Sequence, residues 1–391
     1  MRILHVSETL DPAHGGTPAV PKLLGAAQAA LGHEVTILTR DEPSRAEAIR
    51  ESLDAIPGAS ALRIETVAPE GGLGSILNRG ARRWVAERSS GFDFAHLHSM
   101  WSPVPHGAAR GLARARIPYC LCPHGMLDAW SMAQSAARKR VHLALVGRRT
   151  MARAAFVHAL NPHEAECVRR FGFGSPIEVL GNGINPELVG SLPEPGSFRS
   201  QHPVLGDDPF VLFLSRLHHK KGLDLLAPAF VRLAQADPRV RLVVVGPDGG
   251  ARAAFEQAIN SAGVAGRVVL TGPLYGRDKL GALADASVFC LPSRQEGFSV
   301  AICEAMAAGL PVVISEACHF PEAIEAGAGH LCALEAGSIA EALLAVLGAE
   351  DRGRSMGAAG RRLVLDRYTW PAIAARSAAL YDAHRGTPGS G

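Results

Sequence analysis

Aromatic side chains are scarce, only 5% of the 391 residues, and no cluster of them offers a surface on which bases could stack. That argues against a nucleic-acid partner, as does a charge balance of 40 Lys+Arg to 37 Asp+Glu. Long apolar runs are missing as well. Stretches such as Leu242–Val245 are strand-sized, far short of the about 20 residues a spanning helix requires, and the opening Met1–Val6 has no signal-peptide hydrophobic region. Seven cysteines, an odd number without CxxC spacing, argue for reduced thiols packed in a cytoplasmic protein. With 47% hydrophobic and 20% charged residues, the chain is neither collagen-like, disulfide-stapled nor wholly disordered. Its length implies two cores.

The apolar segments that are present alternate with helix-length ones. Arg2–Val6 reads as a buried strand, Gly15-Gly16 as a turn, Thr17–Leu31 as a helix stopped by Gly32, and Glu34–Thr39 as the next strand. That order is the mark of a right-handed parallel unit. Further strands are expected at 61–67, 94–97, 118–121 and 177–180, giving a doubly wound domain over residues 1–185. Five prolines and three glycines between Asn185 and Pro209 suit neither helix nor central strand, so 186–209 is expected to be an interdomain linker. A second series, at 210–214, 241–245, 267–270, 287–291 and 311–314, predicts another doubly wound domain over 210–369, followed by a helix at 370–384. Two such sheets place their carboxyl edges where a central cleft can form, and ligands bind at such edges.

Two segments of the second domain carry chemistry. Pro292–Pro311 follows a strand and opens a helix, so Gly297, Phe298 and Ser299 present backbone N–H groups suited to a phosphate or sugar hydroxyl. Glu304 offers two acceptor oxygens to a vicinal diol, and Glu296 precedes the helix. The alternative is an ordinary helix with both carboxylates in solvent. Ser215–Asp224 also joins a strand to a helix, and its Arg216 and Lys221 can neutralise a diphosphate.

Together these segments resemble glycosyltransferase family 4, retaining enzymes of the GT-B fold that use nucleotide-activated sugars. The resemblance runs over nearly the whole chain and includes Glu296 and Glu304, the Arg216 to Lys221 spacing before Gly222, Gly15-Gly16 and Asn182-Gly183-Ile184. It implies two Rossmann-like domains, the first binding the acceptor and the second the nucleotide-sugar, with the terminal helix packing back on the first. It further implies that Arg216 and Lys221 hold the donor diphosphate, that Glu304 binds the ribose and that Glu296 binds the transferred sugar. Gly297, Phe298 and Ser299 would contact donor sugar and phosphates, Gly15 and Gly16 the donor, and Leu274 the nucleobase. The loop Cys122–Trp130 is similar to one in which a histidine faces the donor sugar, which makes His124 the first domain's catalytic candidate. Two positions depart from the family pattern: Gly181 stands where a proline is common and Ser215 where a glycine is.

The expected donor is a UDP- or GDP-hexose, with no external cofactor. The expected acceptor is a saccharide or lipid-linked hydroxyl in cell-surface polysaccharide synthesis. His96 and His98 share a strand face with His124 nearby, but no acidic or thiolate set accompanies them at ligand spacing, so no metal is expected. Residues 79–153 hold 13 Lys/Arg against 3 acids, and Arg79, Arg82, Arg83 and Arg88 flank Ile76, Leu77 and Trp84. Such a surface suits peripheral contact with the anionic inner face of a membrane. Competing readings are a nucleotide-sugar epimerase on the same fold and a non-catalytic nucleotide- or sugar-binding protein.

Overall fold

The computed structural model describes residues 1–41, 43–68 and 78–386. It divides into two units, Met1–Gly183 joined by the segment from Trp370 onward, and Ile184–Thr369. Ile76 and Leu77 lie outside the described residues. Among the described residues no helix is long and apolar enough to cross a membrane.

The first unit is built on seven parallel strands: β1 (Arg2–Val6), β2 (Glu34–Thr39), β3 (Arg63–Thr66), β4 (Phe94–His98), β5 (Tyr119–Cys122), β6 (Phe156–Ala159) and β7 (Ile177–Val179). Their order is β3-β2-β1-β4-β5-β6-β7. The central strands are buried on both faces, as a parallel sheet covered on both sides requires, with histidines of β1, β4 and β6 among the apolar residues of one face. On one face Leu4, Val6, Ala95, Leu97, Leu121 and Val157 pack beneath the helix Pro103–Ala115. On the other, Ile3, Phe94, Cys120 and Phe156 meet Tyr381 of the terminal helix Trp370–His384, whose ring stacks on Phe94 at 4.5 Å. That helix also packs on Ala19–Ala30 through Val20, Leu24, Trp370 and Ile373, returning the end of the chain to its first domain.

The second unit has β8 (Phe210–Leu214), β9 (Arg241–Val245), β10 (Val268–Gly272), β11 (Val288–Leu291), β12 (Val312–Ser315) and β13 (Gly329–Cys332) in the order β10-β9-β8-β11-β12-β13. In both sheets the chain starts at the centre, builds to one side and then crosses to the other. The reversal falls between β1 and β4 in the first and between β8 and β11 in the second. Strands β6 and β13 carry no expectation from the sequence analysis.

The expected linker is corrected. Residues 186–209 are part of the second unit, with Phe198 and Leu205 buried in its core. The prolines hold regular structure to short pieces but do not prevent burial: the segment has a one-turn helix at Glu187–Gly190, which the composition did not lead one to expect, and short turns at Arg199–Gln201 and Pro203–Leu205. Asp285 fixes it by accepting the backbone N–H groups of Gly196, Phe198 and Arg199 at 2.6, 2.9 and 3.0 Å. Removing that carboxylate strands buried donors, so Asp285→Ala is expected to cost about 3 kcal/mol, measured by urea unfolding. A loss below about 0.5 kcal/mol would mean that the segment adds nothing to the core.

The chain passes between units at one place in each direction. Ile184 N–H donates to the Tyr368 carbonyl at 2.8 Å, and Ile184 bridges Thr369. Gly183 has no room for a side chain, because a Cβ there would press into the Trp370 backbone and ring.

Candidate functional site

The loops after β8 and β11 flank the second sheet's reversal, where the carboxyl ends of two neighbouring strands diverge and a crevice is expected. They are tightly stitched. Gly222 sits at φ 77° against the Pro292 carbonyl, an approach and a backbone conformation that leave no space for a Cβ. Arg294 N–H donates to the Lys220 carbonyl at 2.7 Å, and the Arg294 guanidinium binds both Asp224 oxygens at 2.7 Å. This clamp brings Lys221 Nζ to 2.6 and 2.8 Å from the two Glu296 oxygens. Glu296 is 7% exposed and Lys221 20%, so the pair is largely withdrawn from water.

A second pair stands beside the first. Lys279, on the helix Gly276–Asp285 beyond β10, donates to Glu304 Oε1 at 2.7 Å, and Glu304 lies on the helix Val300–Ala307. Sequence reasoning missed Lys279, and no spacing rule joins it to a glutamate 25 positions later. Arg216 is exposed and makes no ion pair among the described residues. The helix Val300–Ala307 begins at Ser299 without a side-chain cap, so its first amides keep their donors. The Phe298 ring packs against Phe320 and Tyr368, with centroids 5.8 and 5.9 Å apart. Leu274 packs half-buried on the core, next to Tyr275, which is 76% exposed.

In the first unit, Gly15 and Gly16 form an exposed turn in the loop between β1 and the helix Ala19–Ala30, Gly15 with φ 90°, and no atoms crowd the positions where their Cβ would lie. His124 follows β5 in a left-handed turn, φ 55°, continued by Gly125 at φ 73°. Such a turn costs about 1 kcal/mol at a non-glycine residue and is held by Glu164. That buried carboxylate accepts the N–H groups of Gly125 and Leu160 at 2.6 and 2.7 Å, and burial pushes its pKa up to about 7. The His124 ring is half-buried, with Nε2 3.1 Å from His98 Nδ1 and Nδ1 3.6 Å from Cys122 Sγ. Desolvation holds its pKa down at about 3. Behind it lie His5, His96, His98 and His158, all buried on one face of the sheet. The donor atoms of His5, His96 and His98 lie close enough together to surround a small ion, as do those of His96, Cys122 and His158. Every ring nitrogen of His5, His98 and His158 and both of His96 already has a hydrogen-bond partner, which fits a protein-satisfied network better than a metal site. All seven cysteines are free and buried.

Two parallel sheets, each carrying charged or polar groups at the edge where its strand order reverses, define a two-domain architecture of the GT-B kind. Residues 196–363 match the family model "Glycosyl transferases group 1" and residues 15–183 match "Glycosyl transferase 4-like domain". The chain belongs to this family of glycosyltransferases. A GDP-mannose-dependent alpha-(1-6)-phosphatidylinositol monomannoside mannosyltransferase of Mycolicibacterium smegmatis is 30% identical over 55% of this chain and 58% of its own length. The chain thus spans little more than half of that relative. A phosphatidyl-myo-inositol mannosyltransferase of Mycobacterium tuberculosis is 26% identical over 80% of this chain and 79% of its own. Among solved structures, a sucrose-phosphate synthase from Thermosynechococcus elongatus superposes with a TM-score of 0.74 at 22% identity, covering 98% of both chains.

Proposed function

We propose that the protein is a retaining glycosyltransferase that moves a hexose from a nucleoside-diphosphate sugar to a hydroxyl of a saccharide or lipid-linked acceptor. The observation that carries this reading is the set of two ion pairs, Lys221 with Glu296 and Lys279 with Glu304, around an uncapped helix start at the second sheet's reversal. A diphosphate needs cations and directed N–H groups, a ribose needs a carboxylate, and this edge holds all three. In this reading Lys221, Arg216 and the amides of Gly297, Phe298 and Ser299 bind the diphosphate, with Glu304 on the ribose and Glu296 and His124 on the sugar. Gly15, Gly16 and Leu274 complete the donor's surroundings. No protein base is required if the departing diphosphate takes the acceptor's proton. Catalysis is then positioning together with stabilisation of the leaving group's charge.

A lipid-linked acceptor is favoured by the surface of the first unit. Val141 and Leu145 are 58% and 74% exposed among Arg138, Arg140, Arg148 and Arg149. Beside them a groove of about 610 Å³ is lined by Leu127, Met132, Arg140, Arg148 and Arg170. Apolar side chains ringed by cations suit the headgroup boundary of an anionic membrane. The mannosyltransferase relative, whose name specifies GDP-mannose and a phosphatidylinositol mannoside, supports the same acceptor class and makes guanine one base to test.

The donor site is tested by thermal unfolding with UDP, GDP, ADP, TDP and CMP in turn. One diphosphate is expected to raise the midpoint, and Glu304→Ala to abolish the rise. No rise with any of them would turn the reading toward a protein that does not use nucleotide-sugars.

A further inference from the structure

The hydrogen bonds of the buried histidines can be solved from two ends. His158 Nε2 lies 2.6 Å from the Leu180 carbonyl, which only accepts, so that ring carries its proton on Nε2. Its Nδ1, 3.2 Å from His96 Nε2, therefore accepts, which places the His96 proton on Nε2 as well. His96 Nδ1 then accepts from the Tyr381 hydroxyl at 2.7 Å, and the Tyr381 oxygen accepts from Gln28 Nε2 at 3.3 Å. The other end is Ser377. Its hydroxyl donates to the Ala374 carbonyl at 2.8 Å, and so its oxygen must accept from Gln28 Nε2 at 2.9 Å.

Both ends turn the Gln28 amide the same way, with Oε1 toward His5. His5 donates to it from Nε2 at 2.7 Å, and His5 Nδ1 accepts from His98 Nε2 at 2.9 Å. His98 Nδ1 in turn accepts from His124 Nε2 at 3.1 Å. Desolvation keeps each ring neutral at pH 7: His5 and His158 are held at about 4, His124 at about 3, and His96 and His98 well below the usual range. The Cys122 thiol beside His124 Nδ1 is raised by burial and remains a weak S–H donor.

We propose that Gln28, Ser377 and Tyr381 are positioning residues that, through His5 and His98, hold His124 in a single neutral tautomer, Nε2–H. The one hydrogen-bonding capacity the ring then has to offer is the Nδ1 lone pair, which only the weak Cys122 S–H approaches, at 3.6 Å, so it meets a hydroxyl of the donor sugar as an acceptor that displaces that contact. This last step rests on the proposal that His124 contacts that sugar; the ring states do not.

The test is a long-range ¹H–¹⁵N correlation spectrum of the full chain, labelled at histidine, at pH 7. His5, His96, His98, His124 and His158 are each expected to show a protonated Nε2 and a bare Nδ1. A Nδ1–H ring among the five, or a zinc titration that displaces their signals at stoichiometric metal, overturns the chain. Ser377→Ala and Tyr381→Phe each leave one end anchored and are expected to keep the His124 tautomer, with kcat within about twofold of the parent. The double variant frees the amide of Gln28. It is expected to mix the His124 tautomers and lower kcat up to about tenfold, with nucleotide affinity unchanged. Mixed tautomers with kcat unchanged would overturn the positioning role. Ring states as expected in a chain that binds no nucleotide would overturn the sugar contact together with the proposed function and leave the tautomer chain standing.

Discussion

Lys221→Met is expected to abolish most transfer, by about 10²- to 10³-fold in kcat, the scale set by loss of one donor aimed at developing negative charge. It is also expected to destabilise the protein by about 3 kcal/mol, because Glu296 would be left at 7% exposure with no counterion. The double variant Lys221→Met/Glu296→Leu separates the two effects. It should recover most of the stability and none of the activity. Urea unfolding and initial rates with the donor found by thermal shift measure both. A single variant that turns over at the parent rate would remove Lys221 from the reaction. The pairing has a chemical logic: before the donor binds, Lys221 and Glu296 neutralise each other, as do Lys279 and Glu304. In the proposed reading a diphosphate then supplies a further anion for Lys221 to share, and the carboxylates become acceptors for hydroxyls. An empty site of this kind is balanced without bound counterions.

Acid is expected to unfold the first unit well before carboxylates titrate elsewhere. His5, His106 and His158 are held at about 4 and His124 at about 3 by burial, against an ordinary value of 6.5. Below pH 6.5 the unfolded chain takes up protons at these sites and the folded one does not, so stability falls as pH falls. The slope is about 1.4 kcal/mol per pH unit for each group. From pH 7.5 to 5.5 these four account for a loss of roughly 5 kcal/mol, as large as the whole stability of many domains. His96 and His98, lowered further by burial and by their neighbouring histidines, add in the same direction. Glu164 opposes them. Its pKa is raised to about 7, so its penalty, present above that value, is relieved as pH falls toward 4.5. One carboxyl does not offset six imidazoles. Calorimetry should show a transition that moves to much lower temperature between pH 7.5 and 5.5, and a midpoint independent of pH over that range would contradict the buried neutral cluster.

Individual strands were legible where they are unbroken apolar runs. Phe210–Leu214 and Arg241–Val245 are strands at the expected residues because both faces of a central parallel strand are buried. Strands Phe156–Ala159 and Gly329–Cys332 escaped because His158, Gly329 and His330 interrupt the run. The 186–209 segment was misjudged for a different reason. Its composition allows only short pieces of regular structure, but whether the backbone between them is buried depends on Asp285, some 90 positions away. The charged residues of the second unit could be picked out by spacing, whereas their pairing could not: Lys221 meets Glu296 across 75 positions. The same holds for the histidines. A shared strand face linked His96 to His98, but nothing in the sequence brings Tyr381 to His96 across 285 positions.

The first unit is discontinuous, for it needs the helix Trp370–His384 to bury Phe94 and Phe156 and to give Gln28 and His96 their partners. Ile184–Thr369, by contrast, is one uninterrupted stretch. A ribosome delivers residues from the N-terminus at about 5–20 per second, so strands β1 to β7 emerge and wait while the entire second unit is made. During those seconds the buried histidine face lacks the helix that brings Ser377 and Tyr381 to Gln28 and His96. The half of the protein that is synthesised first is therefore the half completed last.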